Sequence, residues 1–129
     1  MFKPGLNVDE DFLRANPNAR FVFGDNLKRV GLGGGASLRY HKRAYGFITK
    51  KEPNNIDRCF FKPDEIYKHI FENELHDLLF DIHNAPRGTE WYISRLGAGL
   101  ANKYKIWEGI IKPRLEETFR ERPDVFLMW

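Results

Sequence analysis

The sequence has little cysteine and no long apolar run. Among its 129 residues Cys59 is the one cysteine, so no disulfide can form within the chain. No apolar stretch approaches the roughly 20 residues of a membrane span, and the first residues do not resemble a signal peptide. These absences favour a protein of the reducing cytoplasm and give no sign of a membrane partner.

Two standard nucleotide-binding motifs are absent or badly placed. The P-loop pattern, Gly-x4-Gly-Lys-Ser/Thr, does not occur. Gly31, Gly33 and Ala36 satisfy the Rossmann pattern G-x-G-x-x-A, but the preceding predicted strand ends near Gly24, about seven residues too early. The chain is also short for a dinucleotide-binding domain plus a substrate domain. A nicotinamide-binding enzyme is therefore the least favoured hypothesis.

The composition is that of one folded domain, which we expect to span residues 1–129. Hydrophobic residues make up 42% and aromatic residues 15%, enough for a core. The net charge of +3 is unevenly distributed, because residues 28–51 contain seven Lys and Arg and no Asp or Glu. Since this segment also contains the glycine run 33–35, it favours a local anion site.

Hydrophobic periodicity predicts alternating strands and helices. Strands are predicted at 20–24, 45–49, 91–94 and 125–129, and helices at 9–16, 36–43, 64–83 and 104–119. This alternation is typical of an α/β protein, and we expect a three-layer α/β/α sandwich around a mostly parallel or mixed sheet. Ligands of open α/β sheets bind outside the carboxyl ends of the strands.

Two glycine loops lie between predicted strands and predicted helices. The first glycine loop spans residues 24–36 and the second spans residues 95–103. Glycine lets the backbone approach a ligand and direct successive N–H groups at an anion, and a helix N-terminus would add positive charge. We therefore expect the loops to hold a diphosphate, whereas turn formation alone is the competing interpretation.

Both loops resemble parts of the macro domain. In that family a hydrophobic strand ends in Asn and a glycine run opens a helix, as in residues 21–26 followed by residues 33–36. Residues 91–105 are similar to the macro phosphate-binding loop and the strand before it. The likeness covers residues 20–129 and points to a short, divergent macro-like family of the kind found in phages.

This resemblance implies a ligand and leaves the activity open. The implied partner is ADP-ribose or a related nucleotide, free or attached to a protein or nucleic acid. Some macro domains hydrolyse an ADP-ribosyl linkage or remove a terminal phosphate, so hydrolysis and simple binding are alternatives. No cofactor is implied, and a phage protein of this kind would act in the host cytoplasm.

The resemblance also assigns residues by position. Asn26 would hydrogen-bond the distal ribose and is a candidate catalytic residue. The first glycine run would line the same end of the cleft, and the second loop would wrap the diphosphate. The expected ligand-binding set is Gly24, Gly33, Gly34, Gly35, Arg95, Gly97, Ala98, Gly99, Leu100, Ala101, Asn102 and Lys103. Arg95 and Lys103 would contact phosphate, or would form surface salt bridges instead.

Two side chains of the basic segment are candidates for proton transfer. Asp25 neighbours Asn26 and is a candidate general base, with a salt bridge to Lys28 or Arg29 as the alternative. Histidine is the usual residue for proton transfer near neutral pH, so His41 is a candidate proton relay, with a solvated surface position as the alternative.

A nucleic-acid-binding module is the alternative function. Basic and aromatic side chains interleave across residues 39–51, which suits phosphate contact and base stacking. These side chains are Arg39, Tyr40, Lys42, Arg43, Tyr45, Phe47, Lys50 and Lys51. A steep loss of affinity with salt would distinguish this function from nucleotide binding.

The histidines of the third predicted helix do not form a metal site. His69, His76 and His83 recur every seventh residue. At 1.5 Å rise per residue, neighbours are ~10 Å apart along the helix, too far to share one ion. We therefore predict no metal.

Overall fold

Short apolar runs closed by turn residues form the four strands of the structure, a computed structural model that describes all 129 residues. The strands are β1 (Ala19–Asn26), β2 (Ala44–Lys50), β3 (Glu90–Ile93) and β4 (Val125–Leu127). They lie in the order β2-β1-β3-β4, and each neighbouring pair is parallel. The predicted α/β class and parallel sheet are confirmed.

Apolar side chains of the strands bury both faces of the sheet. Because successive residues of a strand point to opposite faces, Val22 and Ile93 join one core cluster while Phe23 and Tyr92 join another. The larger cluster contains residues of the two longer helices, and the smaller contains Leu13 of the first helix. This two-sided burial explains why β1 reads as a continuous apolar run.

The predicted first and third helices are confirmed. Helix α1 (Glu10–Ala15) begins after Asp9, whose carboxylate accepts the Phe12 N–H at 2.8 Å. Helix α2 (Glu65–Asn84) begins after Asp64, which accepts the Tyr67 N–H in the same way. These caps satisfy N–H groups that have no partner within the helix. None of the helices combines the length and the apolar character that crossing a bilayer requires.

The predicted helix 36–43 behind the first glycine loop is wrong, whereas the helix predicted behind the second loop is present from Ile106 onward. The first glycine loop leads only into a 3-10 helix (Gly34–Leu38), and the second leads into a single 3-10 turn (Leu100–Asn102). Glycine disfavours a regular helix because it loses the most backbone freedom on folding. The first loop therefore has no α-helix N-terminus behind it to add the expected positive charge.

The predicted helix 104–119 is divided into two windings. Residues Trp107–Ile111 form a π-helical turn, and α3 follows at Lys112–Phe119. Pro113 has no N–H to donate to the carbonyl of Gly109, so the regular α-helical bond pattern cannot extend back through this point.

Both edges of the sheet are covered. On the β2 edge, Tyr67 of α2 donates its hydroxyl to the Ile48 carbonyl at 2.7 Å, and Glu74 accepts the Ile48 N–H at 2.8 Å. On the β4 edge, Leu127 exchanges backbone hydrogen bonds with Met1 and Lys3. These contacts satisfy backbone groups through which edge strands otherwise pair with other chains.

Candidate ligand-binding site

The two glycine loops leave adjacent strands at the same edge of the sheet. The chain runs from β1 to β2 on one side, and from β3 to β4 on the other. The connections therefore diverge between β1 and β3, at a topological switch point. A crevice at the carboxyl ends of strands beside such a point is the usual ligand site of open α/β sheets.

Two glycines let these loops approach each other. A Cβ atom at Gly24 would lie 3.2 Å from Thr49 Oγ1 and 3.7 Å from the backbone N of Gly97. Gly97 has φ +76°, and a Cβ there would lie 2.8 Å from Ile111 Cδ1. Side chains at these positions would strain the backbone or push the loops apart, so both glycines shape the crevice.

The loops present backbone N–H groups that have no partner in the protein. In the first loop the Gly33 N–H makes no hydrogen bond, and Gly34 and Gly35 begin a 3-10 helix that offers their N–H groups no acceptor. In the second loop the Gly97 and Gly99 N–H groups are likewise uncommitted. Nothing lies within 4 Å of a Cβ placed at Gly33, Gly34 or Gly99, so a ligand can approach the backbone there.

Asp25 is held in an ion pair and is not available as a general base. Its Oδ1 accepts from the Asn26 N–H at 2.8 Å and from Arg39 at 2.6 Å, and its Oδ2 accepts from Arg39 at 2.9 Å. Arg29 is one of the two salt-bridge partners predicted from the sequence. It approaches Oδ2 at 3.5 Å, so it is a secondary partner of the carboxylate. Both carboxylate oxygens are thus occupied by donors, and the structure does not support the catalytic role expected of Asp25.

Asn26 organises the first glycine loop. Its Nδ2 donates to the Val30 carbonyl at 2.8 Å, and its Oδ1 accepts the Lys28 N–H at 3.0 Å. These bonds close a turn immediately after β1 and occupy both ends of a side chain that is only 6% exposed. The geometry assigns Asn26 to shaping the loop, and direct contact with a ribose would require breaking this turn.

Sequence reasoning missed the part that Arg39 plays in the first loop. Its Nε donates to the Gly31 carbonyl at 2.8 Å and its Nη2 to the Val30 carbonyl at 3.1 Å, in addition to the pair with Asp25. The hydrogen bonds with Asp25 raise the pKa of the Arg39 guanidinium, so the group is charged at every practical pH. No local pattern marks this contact, because Arg39 lies 14 positions beyond Asp25.

The structure places His41 far from the crevice. His41 precedes β2, so it lies at the amino edge of the parallel sheet, and the glycine loops lie at the carboxyl edge. Its Nδ1 accepts the backbone N–H of Arg43 at 3.1 Å. The predicted proton relay is therefore not supported.

Three residues of the second loop have contacts of their own. The Asn102 side chain accepts the Trp107 N–H and donates to Glu108, so it caps the π-helical turn. Lys103 pairs with Asp57 at 2.6 Å, a contact that raises the pKa of Lys103 and lowers that of Asp57. Arg95 is exposed and lies over the Trp107 ring, 5.7 Å from its centre.

The basic segment 39–51 does not form one continuous surface. Arg39 is occupied by Asp25, and Arg43 donates to the carbonyls of Leu13, Asn16 and Ala19 at the end of α1. Phe47 is 2% exposed and packs in the larger core. The side chains proposed for phosphate contact and base stacking are therefore divided among the core, the crevice and the amino edge.

Two surface grooves lie elsewhere on the molecule. One of about 580 Å³ lies at the amino edge beside Trp91, and one of about 360 Å³ lies between the start of α2 and the start of α3. Neither groove is lined by a residue of the glycine loops. We regard the crevice as the better candidate, because two loops with uncommitted N–H groups leave adjacent strands there, at the switch point.

The fold and the site define an α/β protein with a parallel sheet and two glycine loops at one switch point. The chain belongs to a family of unknown function, DUF7831, whose profile matches residues 6–102 and so includes β1 to β3 and almost all of both glycine loops. No curated protein and no solved structure gives a significant match to the chain.

Proposed function

We propose that the protein binds ADP-ribose or a related nucleotide, with its diphosphate in the crevice between the two glycine loops. The observation that carries the proposal is the presence of uncommitted N–H groups in both loops at one edge of the sheet, from Gly33–Gly35 and from Gly97 and Gly99–Ala101. Successive free amides form a concave anion site without any side-chain charge. The macro-like, three-layer α/β/α fold and the cytoplasmic location belong to the same proposal.

Binding is better supported than hydrolysis. A hydrolase needs a base or a positioned water near the scissile bond. Asp25 is neutralised by Arg39, and His41 lies at the opposite edge of the sheet. Hydrolysis in this crevice would therefore depend on a water held by backbone groups, with the free amides stabilising the developing negative charge.

Calorimetric titration of the protein with ADP-ribose tests the proposal, using Gly33→Asp and Gly33→Asn as a matched pair. Gly33 has φ −79°, its Cβ would project into open space, and it occupies the N-cap of the 3-10 helix, where Asp and Asn are both favoured. Both variants should fold, but only Asp places a carboxylate beside the free amides. We expect Gly33→Asp to weaken binding by about tenfold relative to Gly33→Asn.

Two results would contradict this assignment. The first is the absence of wild-type binding at millimolar ADP-ribose. The second is equal affinity of the Asp and Asn variants, which would place the anion away from the first glycine loop.

A further inference from the structure

Three loops at the carboxyl edge of the sheet are joined into one surface by two carboxylates. Glu52 pairs with Lys28 of the first glycine loop at 2.6 Å. Asp57 pairs with Lys103 of the second loop at 2.6 Å and also accepts the Tyr104 hydroxyl. We call this surface the carboxyl rim and define it as residues 27–35, 51–62 and 94–105.

The carboxyl rim is strongly basic. It contains eight Lys and Arg residues against Glu52 and Asp57, in a protein whose overall net charge is only +3. Glu52 and Asp57 are both engaged by rim lysines, and these contacts lower the pKa of each carboxyl. The rim therefore carries a net charge of +6, and the rest of the chain carries a net charge of −3.

The rim also exposes apolar side chains. Of the ten large hydrophobic residues that are exposed on the molecule, half lie on the rim, which is about a quarter of the chain. These are Leu27, Val30, Leu32, Ile56 and Leu100. Two rim lysines lie over aromatic rings, with Lys51 Nζ 5.4 Å from the centre of Phe61 and Lys62 Nζ 5.2 Å from that of Tyr104. In single-strand binding, basic side chains contact the phosphates and aromatic rings stack on the bases, and on the rim Tyr104 is the aromatic side chain that remains partly exposed.

We propose that the crevice holds the terminal nucleotide of a single-stranded nucleic acid, and that the following phosphates run over the lysines of the carboxyl rim. This inference rests on the proposed function and names the carrier of the nucleotide. A free mononucleotide would occupy the crevice and leave the rim unused. An anionic bilayer would meet the lysines but is too flat to reach the amide of Gly97, a residue buried at the junction of the two loops.

The experiment measures binding of a fluorescent ten-nucleotide single strand with a 5′-terminal phosphate, as RNA and as DNA. Contact with three or four phosphates predicts a loss of affinity of roughly 20- to 50-fold between 50 and 200 mM salt. ADP-ribose should displace the strand, because both would use the same crevice. The full chain is used throughout.

Charge reversal locates the binding surface. The double variant Lys51→Glu/Lys62→Glu changes two exposed rim lysines, and Lys42→Glu reverses an exposed lysine near the amino edge. The double variant should bind the strand at least about tenfold more weakly, with ADP-ribose affinity within about twofold of wild type. Lys42→Glu should change strand binding by less than about threefold.

The failures of the two proposals are distinguishable. If ADP-ribose binds but the strand does not, or if Lys42→Glu weakens strand binding as much as the double variant, the inference about the rim is overturned and the proposed function stands. Strand binding that ADP-ribose cannot displace, with no binding of ADP-ribose itself, would contradict both. Binding to phosphatidylserine vesicles but not to the strand would also overturn the inference and make the rim a membrane surface.

Discussion

Asp25 and Arg39 form an ion pair with two hydrogen bonds that joins the end of β1 to the segment that follows the first glycine loop. The pair distances are 2.6 and 2.9 Å, and the side chains are 2% and 7% exposed. The same guanidinium donates to the Val30 and Gly31 carbonyls. Arg39 is therefore positioned to hold the loop over the sheet.

Arg39→Met should destabilise the fold by ~3 kcal/mol, because it leaves the Asp25 carboxylate buried with only a partial partner in Arg29. Urea unfolding measures this loss. In the double variant Asp25→Asn/Arg39→Met the uncompensated charge is gone, so part of the stability should return. The single variant Asp25→Asn completes the comparison. If the stability lost by the double variant equals the sum of the losses of Arg39→Met and Asp25→Asn, the two side chains are not coupled.

Gly46→Ala should disturb the same ion pair from β2. A Cβ at Gly46 would overlap Asp25 Oδ2 and lie 3.0 Å from Asp25 Cβ, so the carboxylate must move away from Arg39. We expect a loss of ~2 kcal/mol or more in urea unfolding. Gly33→Ala is the matched control, because its added methyl group meets open space, and it should cost less than ~0.5 kcal/mol.

The sequence predicts the strands and the two capped helices because their signals are local. The run Phe21–Phe23 and the heptad-spaced apolar residues of α2 carry their own periodicity. The extension of β1 through Asp25 and Asn26 depends on pairing with β2 up to Lys50, so it could not be read from polar residues that look like a loop. The absent α-helix behind the first glycine loop shows how helical propensity was overestimated beside three consecutive glycines.

The candidate site was predictable in place but not in its side chains. Parallel strands bring the two glycine loops to one edge, and the order of the loops along the chain was enough to predict that meeting. The partner of Asp25 depends on the path of the connection between β1 and β2. That path brings Arg39, and not the neighbouring Lys28, to the carboxylate. His41 was assigned by its closeness in sequence, although the crossover to β2 places it at the other edge.

Tyr67→Phe should alter the stability of the protein at alkaline pH. Burial raises the pKa of the Tyr67 phenol well above its usual value, and its hydroxyl donates to the Ile48 carbonyl. The folded protein keeps this proton while the unfolded chain releases it near pH 10, so the free energy of unfolding falls above about pH 10 by up to ~1.4 kcal/mol per pH unit.

Unfolding in urea at several pH values between about 8 and 11 tests this slope. Tyr67→Phe should lower stability at pH 8 by ~1–2 kcal/mol, because the Ile48 carbonyl loses its donor, and should flatten the decline above pH 10. Tyr40→Phe, which changes a side chain that is 81% exposed, is the control and should leave the slope as in wild type. An unchanged slope in Tyr67→Phe would show that another group causes the decline.

Leu100→Glu tests the second glycine loop independently of the first. Leu100 is 77% exposed, so replacing it removes little packing, and Leu100→Gln provides a neutral side chain of the same length. The added carboxylate would lie beside the uncommitted amides of Gly99 to Ala101 and repel a bound diphosphate. We expect the Glu variant to bind ADP-ribose about tenfold more weakly than the Gln variant, with the difference shrinking at high salt and unfolding in urea unchanged. Equal affinities at low salt would mean that the diphosphate does not lie against this loop.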